Sequence, residues 1–515
     1  MQPKQNSLLK STILFSLFVF LAQILGLLRD LYLTRIFGVS QTLDIYYMAF
    51  KIPDFLNVFY GVFLGSVVFI PLLAATKSKE EKIEKVNSVG SMVFLFVVLV
   101  GLLLFIFMPI LVNFLVPAWS EEQKNLLLNL SRILLIAQFF FPIGILAGSL
   151  AMIYERPFFM AVSGFVYNLF ILLGAIFLAP FFGIYGVIFG IILGAFMFSL
   201  VQILPKEVRE ILFQFKFEFN LSEWKKFFKN NIGRFVAVFA YQLFGVLLLY
   251  IAAFAGAGGV SAFSISYNIF LALFFVLGAS LSTAAMPNIS KLHIEGKHEK
   301  QKENLNNSLI YMAFVGVFIS LFGYIFAQDI VKILYYFSNI SAEKEILIGN
   351  ILALLILALP FFNLLEIVRK YFYSTNQIKM ASIMTILLLF SVIISSFVLN
   401  KIFLLPVLQT LAFSILFANI FCLIFVFLFL EKNKQINLKN ILGQIYKVFL
   451  NSLFSFFAFI LIQKNIANIF GNYFLETFLK CLVLLFIFIF FVFVLNDKVG
   501  KNILFHFKRI FSKKY

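Results

Sequence analysis

The sequence predicts an all-α polytopic membrane protein of about fourteen transmembrane helices, and three observations carry that prediction. Of 515 residues, 62% are hydrophobic and only 12% charged, and the mean hydropathy is +1.02, far outside the range of soluble domains. Apolar runs of about 20 residues alternate with short polar breaks, as a ~30 Å hydrocarbon layer requires of helices. A membrane barrel would instead show alternating strands of about 10 residues. Lys and Arg also gather in every second break. With the N-terminal tail in the cytoplasm, the cytoplasmic segments hold roughly 30 of them and the opposite loops about 7, the asymmetry of the positive-inside rule.

The apolar segments run near 11–36, 44–74, 88–115, 126–153, 157–180, 184–204, 231–254, 260–287, 307–328, 346–372, 379–400, 403–430, 441–463 and 475–495. Their even number places both termini on the cytoplasmic side. The first run follows Lys4 and Lys10 as a signal peptide would, but it is long and lacks an A-x-A-like site before Arg29, so it reads as a retained helix. The longest break, 205–230, mixes Phe, Leu and Trp with Lys and reads as an amphipathic helix on the inner surface. It divides the chain into an N-terminal lobe of six helices (1–204), a cytoplasmic linker (205–230), a C-terminal lobe of six (231–430), and a final pair with a basic tail (431–515). Two six-helix halves are a common transporter arrangement.

The net charge of +18 is a topology signal and an attraction to anionic lipid head groups; nucleic acid is not an expected partner. Cys422 and Cys481 lie in apolar runs, and His293, His298 and His506 in basic polar segments, so neither a disulfide framework nor a zinc site is indicated. The chain has no GxxxxGK, GxSxG or HExxH, and ATP-driven transport, serine hydrolysis and zinc hydrolysis lose their usual signals. No cofactor is expected.

Chemistry gathers instead between Leu25 and Pro71. Arg29, Asp30, Asp44, Lys51 and Asp54 lie in or beside two apolar segments, where an ionised group costs ~2.5–3.5 kcal/mol or more at mid-bilayer. On a helix, Gln23, Asp30 and Thr34 share one strip, and Tyr47, Lys51, Asp54, Val58, Gly61 and Gly65 recur at spacings of three and four. Simple pairing of Arg29 and Lys51 with the aspartates would lock helices together. An ion pair gives little net stability after desolvation, however, and so many ionisable groups on adjacent helices exceed what locking needs. The pattern points to a polar translocation path.

Other features read as packing or anchoring. Gly186, Gly190 and Gly194 form a double GxxxG, and Gly61 with Gly65 another, both suited to close helix contact. The eighth segment carries Ser264, Tyr267, Asn268, Ser280, Ser282 and Thr283 before Pro287. Arg369 and Lys370 read as inner-face anchors, and Arg132, near the outer start of the fourth segment, as an interfacial one.

The opening LLKSTILFSLFVFLAQILGLLRDLYLTRIFGVSQTLDIYYMAFKIPDFL resembles the amino-terminal signature of the MurJ (MviN) lipid II flippases of the MOP exporter superfamily. The matching elements are Gly26, Arg29 and Asp30 as G-x-x-R-D, then Ile36, Phe37 and Gly38, Asp44, and Ala49 to Pro53. LGASLSTAAMP at Leu277 to Pro287 and FYSTNQIK at Phe372 to Lys379 resemble the family's eighth and tenth helices. The resemblance implies a MOP/MATE-like fold in which Arg29 and Lys51 bind the diphosphate of a lipid-linked sugar while Asp30, Asp44 and Asp54 pair with or gate them. Where the family has arginines, this chain has Gln23, Asn57 and Asn268, which leaves a less cationic cavity. The implied cargo is a polyprenyl-diphosphate-linked saccharide, foremost lipid II. The implied setting is the bacterial cytoplasmic membrane, and the drive the membrane potential or a coupled monovalent ion; the sequence leaves the oligomeric state open and is compatible with a monomer.

Two other transport readings compete: a flippase for a surface-polysaccharide unit, and a MATE-like cation antiporter relying on Asp30, Asp44 or Asp54. A membrane glycosyltransferase is a third class. Its catalytic groups would need a sizeable outer loop, and these outer loops are short and poor in acids and histidine.

Overall fold

The computed structural model describes residues 5–65, 68–336, 338–466, 473–495 and 500–501, which are helical with no strand among them. Eleven of the described helices are long and apolar enough to cross a membrane, or twelve if Ala342–Ile356 and Leu359–Ser374, bent by 48°, form one span. The expected fourteen is not reached on those criteria, for physical reasons at two segments. The second, Gln41–Phe63, contains Asp44, Lys51 and Asp54. The eighth is broken by a π-helical stretch, Phe274–Ala279, between Gly259–Leu273 and Ser280–Ile294.

The chain forms two compact units, Met1–Ser261 with Phe337–Ile340, and Ala262–Tyr336 with Ser341–Tyr515. The first contains α1 (Gln5–Phe37), α2 (Gln41–Phe63), α3 (Phe69–Ala74), α4 (Lys79–Leu115), α5 (Glu121–Leu134) and α6 (Ala137–Ile153). It continues with α7 (Phe158–Leu173), α8 (Ala179–Phe182), α9 (Ile184–Ile203), α10 (Lys206–Leu212) and α11 (Leu221–Ala252). α12 (Gly259–Leu273) begins in the first unit and ends in the second. The second unit continues through α13 (Ser280–Ile294), α14 (His298–Ile325), α15 (Ala327–Leu334), α16 (Ala342–Ile356) and α17 (Leu359–Ser374), then α18 (Ile378–Lys401), α19 (Val407–Lys432), α20 (Leu438–Ile466) and α21 (Tyr473–Val494). This division falls well beyond the expected linker: α11, expected to open the second lobe, packs on α2 and α4 of the first unit. The final pair, α20 and α21, packs on itself and on α14, α21 doing so through Phe488 against Phe314 and Phe318. The expected basic tail from Asn496 lies outside the described residues apart from Gly500 and Lys501.

Local chemistry explains where helices start and how closely they meet. Ser78 caps α4 by accepting from the Glu81 N–H, with Glu80 and Glu81 in the first turn, where acids suit the helix dipole. Ser120 and Gln123 form a reciprocal capping box at α5. α7 and α9 meet along the glycine seam: a Cβ at Gly190 would stand 2.8 Å from the Phe170 carbonyl, and one at Gly194 2.9 Å from that of Tyr167. Gly61 does not serve the same purpose, since a Cβ there meets nothing within 4 Å.

The linker holds a short helix whose apolar side is covered by protein. α10 has only seven residues, and its Val208 and Ile211 are fully buried where it packs on α4, α6 and α9. Beyond it the chain runs along the buried polar start of α4. Lys216 N–H donates to Asn87 Oδ1 (3.0 Å), Asn87 Nδ2 to Glu218 Oε1 (3.0 Å) and Glu218 N–H to Ser91 Oγ (3.0 Å). Ser88 Oγ then donates to Glu223 (2.9 Å) and Trp224 Nε1 to the Ser88 carbonyl (3.1 Å). These bonds give every polar group of Asn87, Ser88 and Ser91 a role and fix the entry into α11.

At the exposed rim Lys79 Nζ lies 2.7 Å from Glu210, and Arg156 3.3 Å from Glu207. The hydrogen bond from Lys79, then its charge, holds the Glu210 carboxyl below its ordinary value. A depressed carboxyl contributes stability above its unfolded pKa and loses it as pH falls through the folded one. A spin label at Gln214 is therefore expected to gain mobility on acidification through the carboxylate range. In Lys79→Gln the Glu210 carboxyl loses the ammonium that holds it down, and the pH response should shrink.

Candidate functional site

The site is built in the first unit from α1, α2, α6 and α7. On α1, Arg29 uses its fork in two directions. Nε donates to Asp30 Oδ1 (2.8 Å), with Nη2 2.7 Å from the same oxygen, and Nη1 donates to Asn168 Oδ1 on α7 (3.0 Å). Asn168 is itself held by the Ala22 and Gly164 carbonyls, each 3.3 Å from its Nδ2. Asp30 is buried. The arginine is thus braced on both sides, and its orientation is set by neighbours that are themselves bonded.

α2 presents the second group. Lys51 Nζ is 4.0 Å from Asp54 Oδ2, and both side chains are about a third exposed, at 33% and 28%. Asn57 Nδ2 donates to Asp54 Oδ1 (2.9 Å), and Gln242 Nε2 of α11 approaches the Asp54 carbonyl (3.4 Å). The Tyr60 hydroxyl lies between Asn57 Oδ1 and Gln138 Oε1 of α6; with one proton it donates to one at a time. A cavity of about 230 Å³ opens beside this chain, polar where Asp54, Asn57, Gln138 and Tyr167 line it and apolar at Phe50, Leu134 and Ile191. Among the described residues the Lys51 ammonium makes no hydrogen bond, so its three donors are available to a ligand.

Asp44, expected to gate or to pair with a cation, is bonded to backbone N–H groups. Its carboxylate is fully buried and accepts from the Gly258 N–H at Oδ2 (2.7 Å) and the Ser261 N–H at Oδ1 (2.6 Å). The stretch AFAGAGGVS puts glycine ahead of α12, with Gly256 and Gly258 at φ +82°, so the chain offers no capping side chain of its own there. Asp44 supplies it from α2, satisfying orphan N–H groups and placing an anion at the positive end of the helix.

Of the other expected site residues, Gln23 is exposed although Asp30 and Thr34 on the same strip are buried. Asn268 is exposed on the second-unit part of α12. Arg369 and Lys370 are more than anchors: Arg369 pairs with Glu366 (3.0 Å), and Lys370 donates to Ser282 (2.8 Å) and Thr283 (2.6 Å) of α13. The charge pattern did not single out Asn168, Tyr60, Gln138 or Tyr167. The available signal was an amide within an apolar run, which must find a partner when water is absent.

Comparison with known proteins agrees with this architecture. A relative from Thermotoga maritima, called "Probable lipid II flippase MurJ", is 24% identical over 387 residues, covering 74% of this chain and 77% of its own. The lipid II flippase MurJ of Thermosipho africanus is 31% identical over 202 residues, 39% of this chain and 42% of its own. Among solved structures, a lipid II flippase MurJ in an inward closed conformation superposes with a TM-score of 0.79 at 23% identity, covering 95% of this chain and all of that one. An inward-facing MATE multidrug transporter of the MOP superfamily does so at 0.68 and 15% identity, over 80% and 94% of the two chains. Residues 33–493 match the family model described as lipid II flippase MurJ, which is most of the chain, and the protein belongs to that family.

Proposed function

We propose that this chain carries a polyprenyl-diphosphate-linked saccharide, lipid II, from the inner to the outer leaflet of the bacterial cytoplasmic membrane by alternating access. Both termini are cytoplasmic, and no covalent chemistry is performed. The observation that supports this reading is the contrast between two cations. Arg29 is fully engaged by Asp30 and Asn168, whereas the Lys51 ammonium makes no hydrogen bond among the described residues and lies 4.0 Å from Asp54, which lines a part-polar cavity. A diphosphate entering a low-dielectric site needs such a donor. Lys51 grips the diphosphate, Asn57 adds a neutral contact, and Arg29 keeps α1 and α7 in register.

The test is rescue of a bacterium depleted of its own lipid II flippase, with membrane levels checked by blot. Wild type is expected to rescue. Lys51→Ala is expected to fail at normal expression, because a charge-assisted contact of ~1.5–3 kcal/mol corresponds to roughly 10- to 150-fold in affinity. Full rescue by Lys51→Ala would remove Lys51 from the site. No rescue by well-expressed wild type would rule out lipid II and favour a surface-polysaccharide unit, the cargo that the neutral Gln23, Asn57 and Asn268 suit better. The drive is the inside-negative potential, which favours outward movement of an anion by about 2.3 kcal/mol per charge per 100 mV, or a coupled monovalent ion; collapsing the potential alone separates the two.

A further inference from the structure

A second cation stands on a membrane-length helical stretch, Glu121–Ile153, outside this site. Pro109 lies inside α4 and has no N–H, so the Phe105 carbonyl four residues earlier loses its helical partner. Arg132 of α5 takes that place: its Nε donates to Phe105 O (3.2 Å), and its guanidinium carbon sits 4.5 Å from the centre of the Phe105 ring. The proline-freed carbonyl and the ring face together fix the guanidinium. Nε is engaged there, while the two Nη groups have no hydrogen bond and no carboxylate within 4 Å among the described residues. Arginine remains charged in such surroundings. It lies six residues past the outer start of the fourth apolar segment near 126, about 9 Å along the helix.

Beside it is an apolar groove of about 280 Å³ lined by Gly101, Leu102, Phe105, Ile133, Ile136 and Phe139. Leu102, Phe105 and Ile136 are each roughly half exposed. Gly101 forms the open part of the wall, since a Cβ there would meet nothing within 4 Å. An arginine that only anchored a helix at the interface would extend freely towards water. This one is tied down at the groove by its Nε, with its remaining donors left over. A groove that is apolar along its length and carries one unmatched cation complements an amphiphile with an anionic phosphate head.

We propose that this groove binds one anionic phospholipid of the bilayer, with its phosphate on the Arg132 Nη groups and an acyl chain along Leu102, Ile136 and Phe139. By the topology proposed above, the α4–α5 turn is external and the lipid belongs to the outer leaflet. The guanidinium fork matches two phosphate oxygens, and the site is independent of the Lys51 cavity.

The test is native mass spectrometry of the delipidated full chain titrated with phosphatidylglycerol. Wild type is expected to hold one tight equivalent, weakened at least tenfold in Arg132→Gln. Gly101→Leu, which leaves Arg132 untouched and fills the groove, is expected to weaken it similarly and keeps the proposal testable if Arg132→Gln fails to fold. Phosphatidylglycerol binding equal to wild type in both folded variants would overturn the site. Displacement of phosphatidylglycerol by an equal concentration of a polyprenyl diphosphate would overturn the occupant in favour of the carrier lipid, and an Arg132-dependent dimer mass would do so in favour of a second copy.

Discussion

Arg29→Ala is expected to abolish transport and to destabilise the folded chain by about 3 kcal/mol. That is the low end of the ~3–5 kcal/mol range for removing one partner of a buried pair. The low end applies because the Arg29 and Asp30 side chains retain 21% and 11% exposure. The cost comes from what is lost: the guanidinium contacts to Asp30 Oδ1 and the donor that α1 gives Asn168 Oδ1. Arg29→Ala/Asp30→Ala removes both members of the pair and is expected to recover part of the stability while remaining inactive. Arg29→Lys keeps the charge but lacks the fork that reaches Asp30 and Asn168 together, so intermediate stability and weak rescue are expected. Unfolding midpoints in detergent, read beside the rescue assay, separate the two effects. If the double variant were no more stable than the single one, the ion pair would not be the source of the loss; full rescue by Arg29→Ala would exclude the register role.

The parts legible in the sequence were those that periodicity and local chemistry determine. Apolar run length located the helices, and the spacing of Gly186, Gly190 and Gly194 announced a seam that the structure closes against the Phe170 and Tyr167 carbonyls. What remained hidden depends on partners far away in the chain. Asn168 meets Arg29 across 139 positions, Gln138 meets Tyr60 across 78, and Asp44 meets Gly258 across 214. A strip on a helical wheel says which residues share a face, but not at what height a neighbour covers it. Asp30 and Thr34 are therefore buried while Gln23 is not. The linker shows a related limit: an amphipathic pattern shows that an apolar face needs cover, and at Val208 and Ile211 that cover is protein, while Phe213, Phe217 and Phe219 are exposed.

Asp44→Ala is expected to cost about 3–6 kcal/mol, from two hydrogen bonds to a charged acceptor at ~1.5–3 kcal/mol each at a fully buried site. Asp44→Asn is isosteric but offers one carbonyl oxygen and one amide group that must face an N–H, and it loses the favourable charge at the helix N-terminus. About half the cost is expected to remain. The signature is local as well as global. Amide exchange of Gly258 and Ser261 should accelerate in both variants before any change at the α7–α9 seam, because α12 has no capping side chain of its own to fall back on. If Asp44 acted chiefly by gating a cation, the outcome would be reversed: Asp44→Asn would leave those amides protected and the midpoint unchanged while transport fell. Loss of protection at Gly258 and Ser261 together with a lowered midpoint would establish that this aspartate builds the first turn of α12.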